Sequence, residues 1–265
     1  MQIGSGTRAF VTGASRGIGR ALAHALARRG ATVGLAARST TDLEALAAEL
    51  PGTHRVLTCD VALPASIATA IEQFADAEGA IDLLVANAGI AHYEPIAEQS
   101  LEHIENMTAV NWLGTVHTVK AALPQMLERG RGHIVVMSSG AGLRGFPGAA
   151  AYGATKAAQR MFAEALRHEL AGTGVSVTTV YPGEIRTSLH DHEHTRLPAW
   201  YRGGPDAASP DVLAQRIIKA VERDSRHLHY RPLVKGMGIL HGLSPAMADR
   251  VLRRLRGETA APRRD

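Results

Sequence analysis

The amino-acid sequence predicts an α/β fold, a single domain over residues 1–265 with a doubly wound parallel sheet of about seven strands and helices on both faces. The first observation is the alternation of short apolar runs with longer Ala- and Leu-rich segments of helical period, which is typical of right-handed βαβ crossovers. The second is composition, because 45% of residues are hydrophobic and only 4% are aromatic. A core of Ala, Val, Leu and Ile suits a parallel sheet that is buried on both faces.

Each predicted element is placed by the period of its apolar residues. The strands are short apolar runs at 9–12, 32–36, 55–58, 83–86, 133–137, 176–181 and 228–231. The helices lie between them, near 17–29, 41–50, 64–78, 101–129, 151–171 and 209–223. Glycine-containing turns directly follow most of the strands, and open α/β sheets bind their ligands at those carboxyl ends. We therefore expect the functional site there.

Two segments depart from this alternation. Residues 189–208 combine Gly, Pro, Trp and a run of His, Asp and Glu, and a loop of this length in a compact domain is usually functional or disordered. We predict that it forms a substrate lid. Residues 232–256 space their apolar residues for one or two amphipathic helices. This C-terminal extension would cap the pocket, pair with a second subunit or lie on a membrane surface.

Composition and charge limit the partners that the sequence predicts. The chain has 29 Lys and Arg residues against 25 Asp and Glu residues, a formal net charge of +4, which is too mild to predict a nucleic-acid partner. The basic excess gathers at the C-terminus, where the simplest interpretation is a solvated helix face and the alternative is contact with an anionic membrane or nucleic acid. No apolar run approaches the roughly 20 residues of a membrane span. The single Cys59 excludes an internal disulfide, and we expect a cytoplasmic protein.

The first predicted strand runs into a glycine-rich turn that opens a helix. Glycines let the backbone turn sharply and approach a pyrophosphate, which the amides and dipole at the helix N-terminus then stabilise. A strand before the turn and a helix after it are the context of a dinucleotide-binding, Rossmann-type fold. The predicted cofactor contacts in this turn are Gly13, Ser15, Arg16, Gly17, Ile18 and Gly19.

The end of the second predicted strand distinguishes the two nicotinamide cofactors. An NAD-specific site has an acid about 20 residues after the glycine turn, which binds the ribose 2′-hydroxyl. Here the strand leads into Arg38 and Ser39, and no acid occurs before Asp42. The guanidinium of Arg38 can fork onto a 2′-phosphate, with Arg16 on its other side. The sequence therefore predicts NADP(H) as the cofactor.

An ordered set of short motifs extends along the chain. Tyr152 and Lys156 stand four residues apart at the start of a predicted helix, and a pair of serines precedes them at a strand end. Besides the glycine turn, the set comprises Asn87-Ala88-Gly89, Asn111, Ser138-Ser139, Tyr152, Lys156 and Pro182-Gly183. In this order and spacing, residues 7–188 resemble the short-chain dehydrogenase/reductase superfamily, whose members transfer hydride between a nicotinamide cofactor and a carbonyl or alcohol.

The resemblance implies a role for each catalytic position. It makes Tyr152 the catalytic acid and base, Lys156 its partner and Asn111 the fourth member of the catalytic set. Ser139 is expected to hold the substrate oxygen. It is preferred over Ser138 because it lies 13 residues before Tyr152, as in the family pattern.

The resemblance also implies cofactor contacts beyond the glycine turn. Asp60 and Val61 are expected at the adenine, and Asn87, Ala88 and Gly89 along the strand that borders the cofactor. The nicotinamide end is expected to contact Pro182, Gly183, Ile185, Thr187, Tyr152 and Lys156. Superfamily members are usually dimers or tetramers joined through two long helices. We therefore expect a homodimer or homotetramer built on the helices near 101–129 and 151–171.

The proton chemistry can be argued from the residues themselves. A free tyrosine has a pKa of about 10 and is a poor base at neutral pH. The ammonium of Lys156, one helical turn after Tyr152, lies on the same helix face and favours the phenolate. Ser139 can donate a hydrogen bond to the substrate oxygen, and this stabilises the charge that develops as a carbonyl accepts hydride.

The expected substrate is a small hydrophobic molecule. The pocket walls are predicted to come from Tyr93, Leu143, Phe146 and Trp200, and apolar walls favour a steroid-like or long-chain carbonyl or alcohol. No metal site is predicted, although His190, His192 and His194 alternate with two acids. Successive residues of an extended loop point to opposite sides and cannot all reach one ion.

Two other functions stay open at this point. A 3-oxoacyl-thioester reductase would use the basic C-terminus to contact an acidic acyl carrier. A nucleotide sensor or scaffold would have lost catalysis altogether. The presence of Asn111, Ser139, Tyr152 and Lys156 together argues against the sensor, because such a protein has no need of all four.

Overall fold

The structure, a computed structural model, describes residues 1–187, 207–230 and 232–255, without the side chains of residues 233, 234, 237 and 252–255. Three of the sequence predictions lie largely outside this part of the chain. They are the lid at 189–208, apart from its last two residues, the histidine cluster at 190–194 and Trp200.

The described chain forms a seven-stranded sheet in which every neighbouring pair is parallel. The strands are β1 (Arg8–Thr12), β2 (Thr32–Ala37), β3 (Arg55–Thr58), β4 (Leu83–Ala86), β5 (Gly132–Met137), β6 (Val175–Tyr181) and β7 (His227–His229). Their order in the sheet is β3-β2-β1-β4-β5-β6-β7. This confirms the predicted fold class. The order reverses between β1 and β4, and such a reversal opens a crevice at the carboxyl ends of the strands.

Helices connect the strands and cover the sheet. They are α1 (Gly17–Ala27), α2 (Thr40–Glu49), α3 (Pro64–Glu78), α4 (Leu101–Met107), α5 (Gly114–Glu128), α6 (Ala150–Glu169), α7 (Pro210–Glu222), α8 (Pro232–Leu243) and α9 (Pro245–Leu255). The helix predicted near 101–129 extends from Leu101 to Glu128, but it is not α-helical throughout. A π-helical segment, Thr108–Leu113, divides it into α4 and α5, and such insertions often occur at functional sites.

Alternate residues of each central strand pack against opposite helix layers. Val11 and Val85 belong to the core beneath α1 and α7, whereas Phe10 and Leu84 belong to the core beneath α3, α5 and α6. Phe10 meets Phe74 of α3 edge to face, with ring centroids 5.7 Å apart. Both faces of the sheet are therefore buried, which holds the carboxyl ends of its strands in fixed relative positions.

The C-terminal extension predicted at 232–256 consists of the two helices α8 and α9, and one buried arginine ties them to the body. Arg144 follows β5 and is 7% exposed. Its guanidinium donates a hydrogen bond to Nδ1 of His241 in α8 at 3.1 Å and pairs with the carboxylate of Asp249 in α9. The neighbouring Leu143 lies against Gly238, where an added Cβ would be 3.5 Å from Leu143 Cδ1. The extension is thus anchored to the segment that follows β5.

His133 makes the stability of this fold sensitive to acid. Its side chain, in β5, is 2% exposed, and its Nε2 lies 2.8 Å from Thr178 Oγ1. Burial lowers the pKa of the imidazole to about 4, although the Asp224 carboxylate acts in the opposite direction. The folded protein therefore holds His133 neutral over a pH range in which an unfolded histidine is protonated.

We expect the free energy of unfolding to fall as the pH drops from about 6.5 towards 4, because only the unfolded chain binds the proton in this range. The full effect is about 3 kcal/mol, and above pH 6.5 the imidazole contributes none. Urea denaturation at about pH 7 and about pH 4.5 would measure it, with His133→Gln as the comparison. The Gln variant should lose less stability between the two pH values. Equal losses in the two proteins would contradict the assignment.

Candidate active site

A cavity of about 390 Å³ lies at the carboxyl ends of the strands, where the strand order reverses. All of the predicted cofactor contacts except Gly19 line it. They are Gly13, Ser15, Arg16, Gly17, Ile18, Arg38, Ser39, Asp60, Val61, Asn87, Ala88, Gly89, Tyr152, Lys156, Pro182, Gly183, Ile185 and Thr187. Residues up to 174 positions apart in the sequence are thereby brought to one site.

The glycine turn approaches the end of β4 so closely that side chains would not fit. Gly13 has a φ of +65°, and a Cβ there would lie 2.9 Å from the Cα of Ala88. A Cβ at Gly19 would lie 2.1 Å from the carbonyl oxygen of Gly13, so Gly19 allows α1 to pack on the turn and does not line the cavity. The side chain of the N-cap residue, Arg16, makes no capping hydrogen bond to α1. The first amides of this helix can therefore bind an anionic group such as a pyrophosphate.

Thr12 and Asn87 hold this approach in place. The hydroxyl of Thr12 accepts hydrogen bonds from the amides of Asn87 and Ala88 at 3.0 and 3.1 Å. The Asn87 side chain donates to the carbonyl of Thr12 at 2.9 Å. Sequence reasoning did not single out Thr12. Its position directly before the glycine turn was the available signal.

Charged residues lie at the end of the cavity formed by the glycine turn and the end of β2. Arg16 and Arg38 both line it and are both exposed. Asp42, in the first turn of α2, lines it as well. Two cations and one anion thus surround this part of the cavity. Sequence reasoning noted Asp42 only as the first acid after the strand, and the turn of α2 brings it into the site.

Cys59 is a second cavity-lining residue that the sequence argument did not place in the site. It follows β3 directly, and this position at a strand end was the signal. Burial raises the pKa of its thiol to about 11, and the neighbouring Asp60 carboxylate adds to the shift. The thiol is therefore protonated and unreactive at neutral pH.

Tyr152 and Lys156 share one face of the first turns of α6, as predicted. They are 6% and 4% exposed. The Lys156 ammonium nitrogen lies 5.8 Å from the centroid of the Tyr152 ring and donates a hydrogen bond to the carbonyl of Met137 at 3.0 Å. The lysine is thereby fixed between the end of β5 and the tyrosine.

The two serines after β5 point to different partners. Ser138 donates a hydrogen bond to the backbone carbonyl of Lys156 at 2.8 Å and is buried, so it fixes α6 against the strand. Ser139 forms a side-chain hydrogen bond with Tyr152. Of the two serines, Ser139 is therefore the one beside Tyr152, and its catalytic role stays a prediction.

Burial shifts both members of the tyrosine–lysine pair towards their neutral forms. It raises the pKa of Tyr152, and hydrogen bonds from the side chains of Ser139 and Tyr93 partly oppose the shift. Burial lowers the pKa of Lys156 to about 7. The protein residues by themselves therefore keep the proton on Tyr152. A further positive charge nearby, such as that of an oxidised nicotinamide, would favour the phenolate.

Asn111 lies in the π-helical segment and is fully buried. Its side chain accepts a hydrogen bond from the amide of Ile90 at 2.8 Å and donates to the carbonyl of Ile90 at 2.9 Å and to Thr155 Oγ1 at 3.1 Å. A Cβ at Gly89 would lie 3.2 Å from Asn111 Oδ1 and 3.4 Å from Lys156 Nζ. Asn111 thus joins the end of β4 to α6 beside the lysine. It does not line the cavity itself.

Three of the predicted substrate residues, Tyr93, Leu143 and Phe146, lie in the described part of the chain. Tyr93 is buried against Tyr152, with ring centroids 5.3 Å apart, and Phe146 packs on the same small cluster. Leu143 lies against α8. None of these three lines the cavity formed by the described residues, and their contact with substrate stays a prediction.

Among the residues that the structure describes, no helix is long and apolar enough to cross a membrane. No group of three or more His, Cys, Asp and Glu side chains in those ranges could hold a metal ion.

Comparison with known proteins establishes the family. The family model for short chain dehydrogenases matches residues 7–197, which is most of the chain. The chain therefore belongs to the short-chain dehydrogenase/reductase family. It is an oxidoreductase of that family with a site for a nicotinamide dinucleotide.

Proteins with similar amino-acid sequences agree with this assignment. An uncharacterised oxidoreductase of Myxococcus xanthus is 42% identical over 193 residues, 72% of this chain and 76% of that protein. The ketoacyl reductase HetN of Nostoc sp. is 33% identical over 258 residues, 94% of this chain and 89% of that protein. The glycine betaine reductase ATRR of Emericella nidulans is 37% identical over 225 residues. That match covers 83% of this chain but only 18% of the relative, which is a much longer protein.

Solved structures share the fold. A serine dehydrogenase complexed with NADP+ has a TM-score of 0.79 at 29% identity, covering 86% of this chain and 95% of its own. A short chain dehydrogenase/reductase from Burkholderia phymatum in complex with NAD has a TM-score of 0.84 at 24% identity, covering 99% and 100%. At that lower identity the likeness concerns the fold alone.

Replacement of Tyr152 by Phe should remove proton transfer and little else. The ring stays, so folding and cofactor binding should survive, whereas turnover should fall by about 10²–10⁴-fold. The same change at Tyr181, a buried tyrosine of β6 outside the cavity, is the matched control. Steady-state rates on the best carbonyl substrate, together with cofactor titrations, provide the measurement. If Tyr152→Phe kept most of its activity, another residue would have to carry the proton.

Lys156→Ala should also reduce turnover, and the double variant should be little worse than the poorer single variant, because the two residues act as one unit. Strictly multiplicative losses in the double variant would contradict that coupling.

Proposed function

We propose that this protein is an NADP(H)-dependent oxidoreductase that transfers hydride between nicotinamide and a carbonyl or secondary alcohol of a hydrophobic substrate. The observation that carries the cofactor preference is the position of Arg16 and Arg38. Both line the same end of the cavity, where an NAD-specific protein would have an acid at the end of the second strand.

The charge at this end favours a phosphate over a hydroxyl. Arg38 follows β2 directly and Arg16 belongs to the glycine turn, so the two guanidinium groups approach from two separate segments. Arginine binds phosphate through paired, charge-assisted hydrogen bonds. Asp42 opposes them with one negative charge, so two positive charges face one negative charge at this end of the cavity. The NADP+ complex of the related serine dehydrogenase adds support.

The catalytic proposal assigns proton handling to residues of the chain. The bound cofactor supplies or accepts the hydride. Ser139 donates a hydrogen bond to the substrate oxygen and stabilises developing negative charge. Tyr152 gives its proton to that oxygen during reduction and takes it back during oxidation. Lys156 is held beside Tyr152 by the Met137 carbonyl, and Asn111 holds the end of β4 against the same helix.

The surroundings of Tyr152 favour an apolar substrate. The apolar residues Ile90, Val110 and Met137 line the same cavity as Tyr152. A steroid-like or long-chain carbonyl would gain free energy by leaving water for an apolar lining of this kind.

Assembly into a homodimer or homotetramer belongs to the same proposal. Leu101, Leu113, Leu127 and Met161 are large apolar residues exposed on the π-helical segment and on α4, α5 and α6. Their burial against a second copy would remove apolar surface from water. Sedimentation velocity measures the oligomeric state directly and should show a dimer or a tetramer.

A second candidate is a 3-oxoacyl-thioester reductase. The similarity to the ketoacyl reductase HetN, over 94% of this chain, favours it. An assay with NADPH separates the two candidates: the hydrophobic-carbonyl proposal expects turnover of ketones or steroids, whereas the alternative expects a preference for 3-oxoacyl thioesters.

Arg38→Asp should weaken NADPH binding by about 10–100-fold, because it removes a charge-assisted pair with the 2′-phosphate and adds a like charge. NADH binding should change little or improve. Fluorescence titration of both cofactors measures the effect, and Arg28→Asp, the same change at an exposed arginine outside the cavity, is the control. Equal affinity of the unmodified protein for NADPH and NADH would overturn the cofactor proposal.

A further inference from the structure

A solvent-exposed apolar stripe runs along α8 and α9. Ile239, Leu243 and Met247 are 53%, 81% and 50% exposed and follow one another at intervals of four residues. Helical hydrogen bonding continues across the junction of the two helices, since Ser244 donates to Leu240 and Ala248 donates to the Ser244 carbonyl. Residues four apart lie on one helix face, so the three apolar side chains share one face of the extension.

The opposite face is the one that contacts the body. Ala248 is fully buried, and His241 and Asp249 bind Arg144. The extension is therefore already docked, and its orientation leaves the apolar stripe pointing away from the domain. A contiguous exposed patch of large apolar residues commonly marks a surface that contacts a protein or a membrane.

Positive charge surrounds the stripe. Lys235 and Arg250 are exposed at its two ends. Residues 232–265 contain seven Lys and Arg against three Asp and Glu, and this excess equals the net charge of +4 of the whole chain. Residues 1–231 are therefore neutral in total. One of the three acids, Asp249, is paired with Arg144.

The charge pattern selects the partner. If two copies of this face met, Lys235 and Arg250 at the ends of one stripe would lie against the same cations of the other copy. This holds whether the two stripes run parallel or antiparallel. Such like-charge contacts oppose self-association. Apolar side chains flanked by long cationic ones instead match a lipid surface, in which anionic headgroups cover apolar acyl chains. Lys and Arg can extend to the phosphates while the apolar side chains enter the boundary beneath them.

We propose that the exposed face of α8 and α9 binds the surface of an anionic phospholipid membrane. Ile239, Leu243 and Met247 enter the boundary between headgroups and acyl chains, and Lys235 and Arg250 contact lipid phosphates. The proposal concerns a surface outside the cofactor cavity and is independent of cofactor and substrate.

Vesicle sedimentation tests the proposal with the full chain. The protein should bind phosphatidylcholine vesicles that contain about a quarter phosphatidylserine, bind pure phosphatidylcholine at least about tenfold more weakly, and be released by salt. Leu243→Glu should reduce binding to the anionic vesicles by about tenfold, because it removes apolar area and adds a repelled charge. Val212→Glu makes the same change at an exposed position of α7 and should leave binding unchanged.

A labelled cysteine reports insertion directly. Cys59 is buried with a raised pKa, so Leu243→Cys introduces one reactive thiol for an environment-sensitive dye. The dye emission should shift to the blue with anionic vesicles, whereas the same dye at Val212→Cys should not respond. Thermal unfolding of each variant checks that the fold is intact.

Four results would each overturn the proposal. The first two are an absence of binding to the anionic vesicles by the unmodified protein and binding that Leu243→Glu does not weaken. The third is a change of oligomeric state in Leu243→Glu without vesicles, which would assign the stripe to a contact between copies. The fourth is binding of an acidic protein, but not of vesicles, that Leu243→Glu weakens, which would assign the surface to that protein.

Discussion

The close approach of the glycine turn to the end of β4 is the constraint on which the rest of the site depends. Strand order reverses between β1 and β4, and helices leave the two strands towards opposite faces, so a crevice opens between them. Hydrogen bonds from the amides of Asn87 and Ala88 to Thr12 hold the two strand ends together. A Cβ at Gly13 would collide with Ala88, so any side chain there would widen the crevice and displace the cofactor surface.

Burial of Lys156 connects the packing of the domain to its chemistry. The lysine is fixed by the Met137 carbonyl at the end of β5, and its own backbone carbonyl accepts a hydrogen bond from Ser138. Burial of the side chain lowers the pKa of the ammonium to about 7. A small change in charge nearby therefore changes its protonation at neutral pH. A lysine on an exposed helix face would keep its charge and have little influence on Tyr152.

One short segment connects the two surfaces to which we assign functions. Ser139 lies beside Tyr152, and five residues later Arg144 binds both C-terminal helices. The apolar stripe on those helices and the reacting end of the cavity are thus attached to the same segment after β5. Contact of the stripe with a lipid surface would place the catalytic domain where apolar substrates concentrate.

The sequence by itself determined the fold class and most of the residues that line the cavity. Apolar periodicity is a local property, and the parallel strands that it predicts lie at nearly the predicted positions. Tyr152 and Lys156 share a helix face because of their spacing, whatever the helix packs against. Only the tertiary structure decided which groups are buried, and therefore the directions of their pKa shifts. It also decided that Cys59 lines the cavity and that Arg144 anchors α8 and α9. Each of these depends on contacts between segments distant in the chain, which no local pattern records. The π-helical segment around Asn111 belongs with them, because its contacts with Ile90 and Thr155 form only once the sheet and α6 have packed.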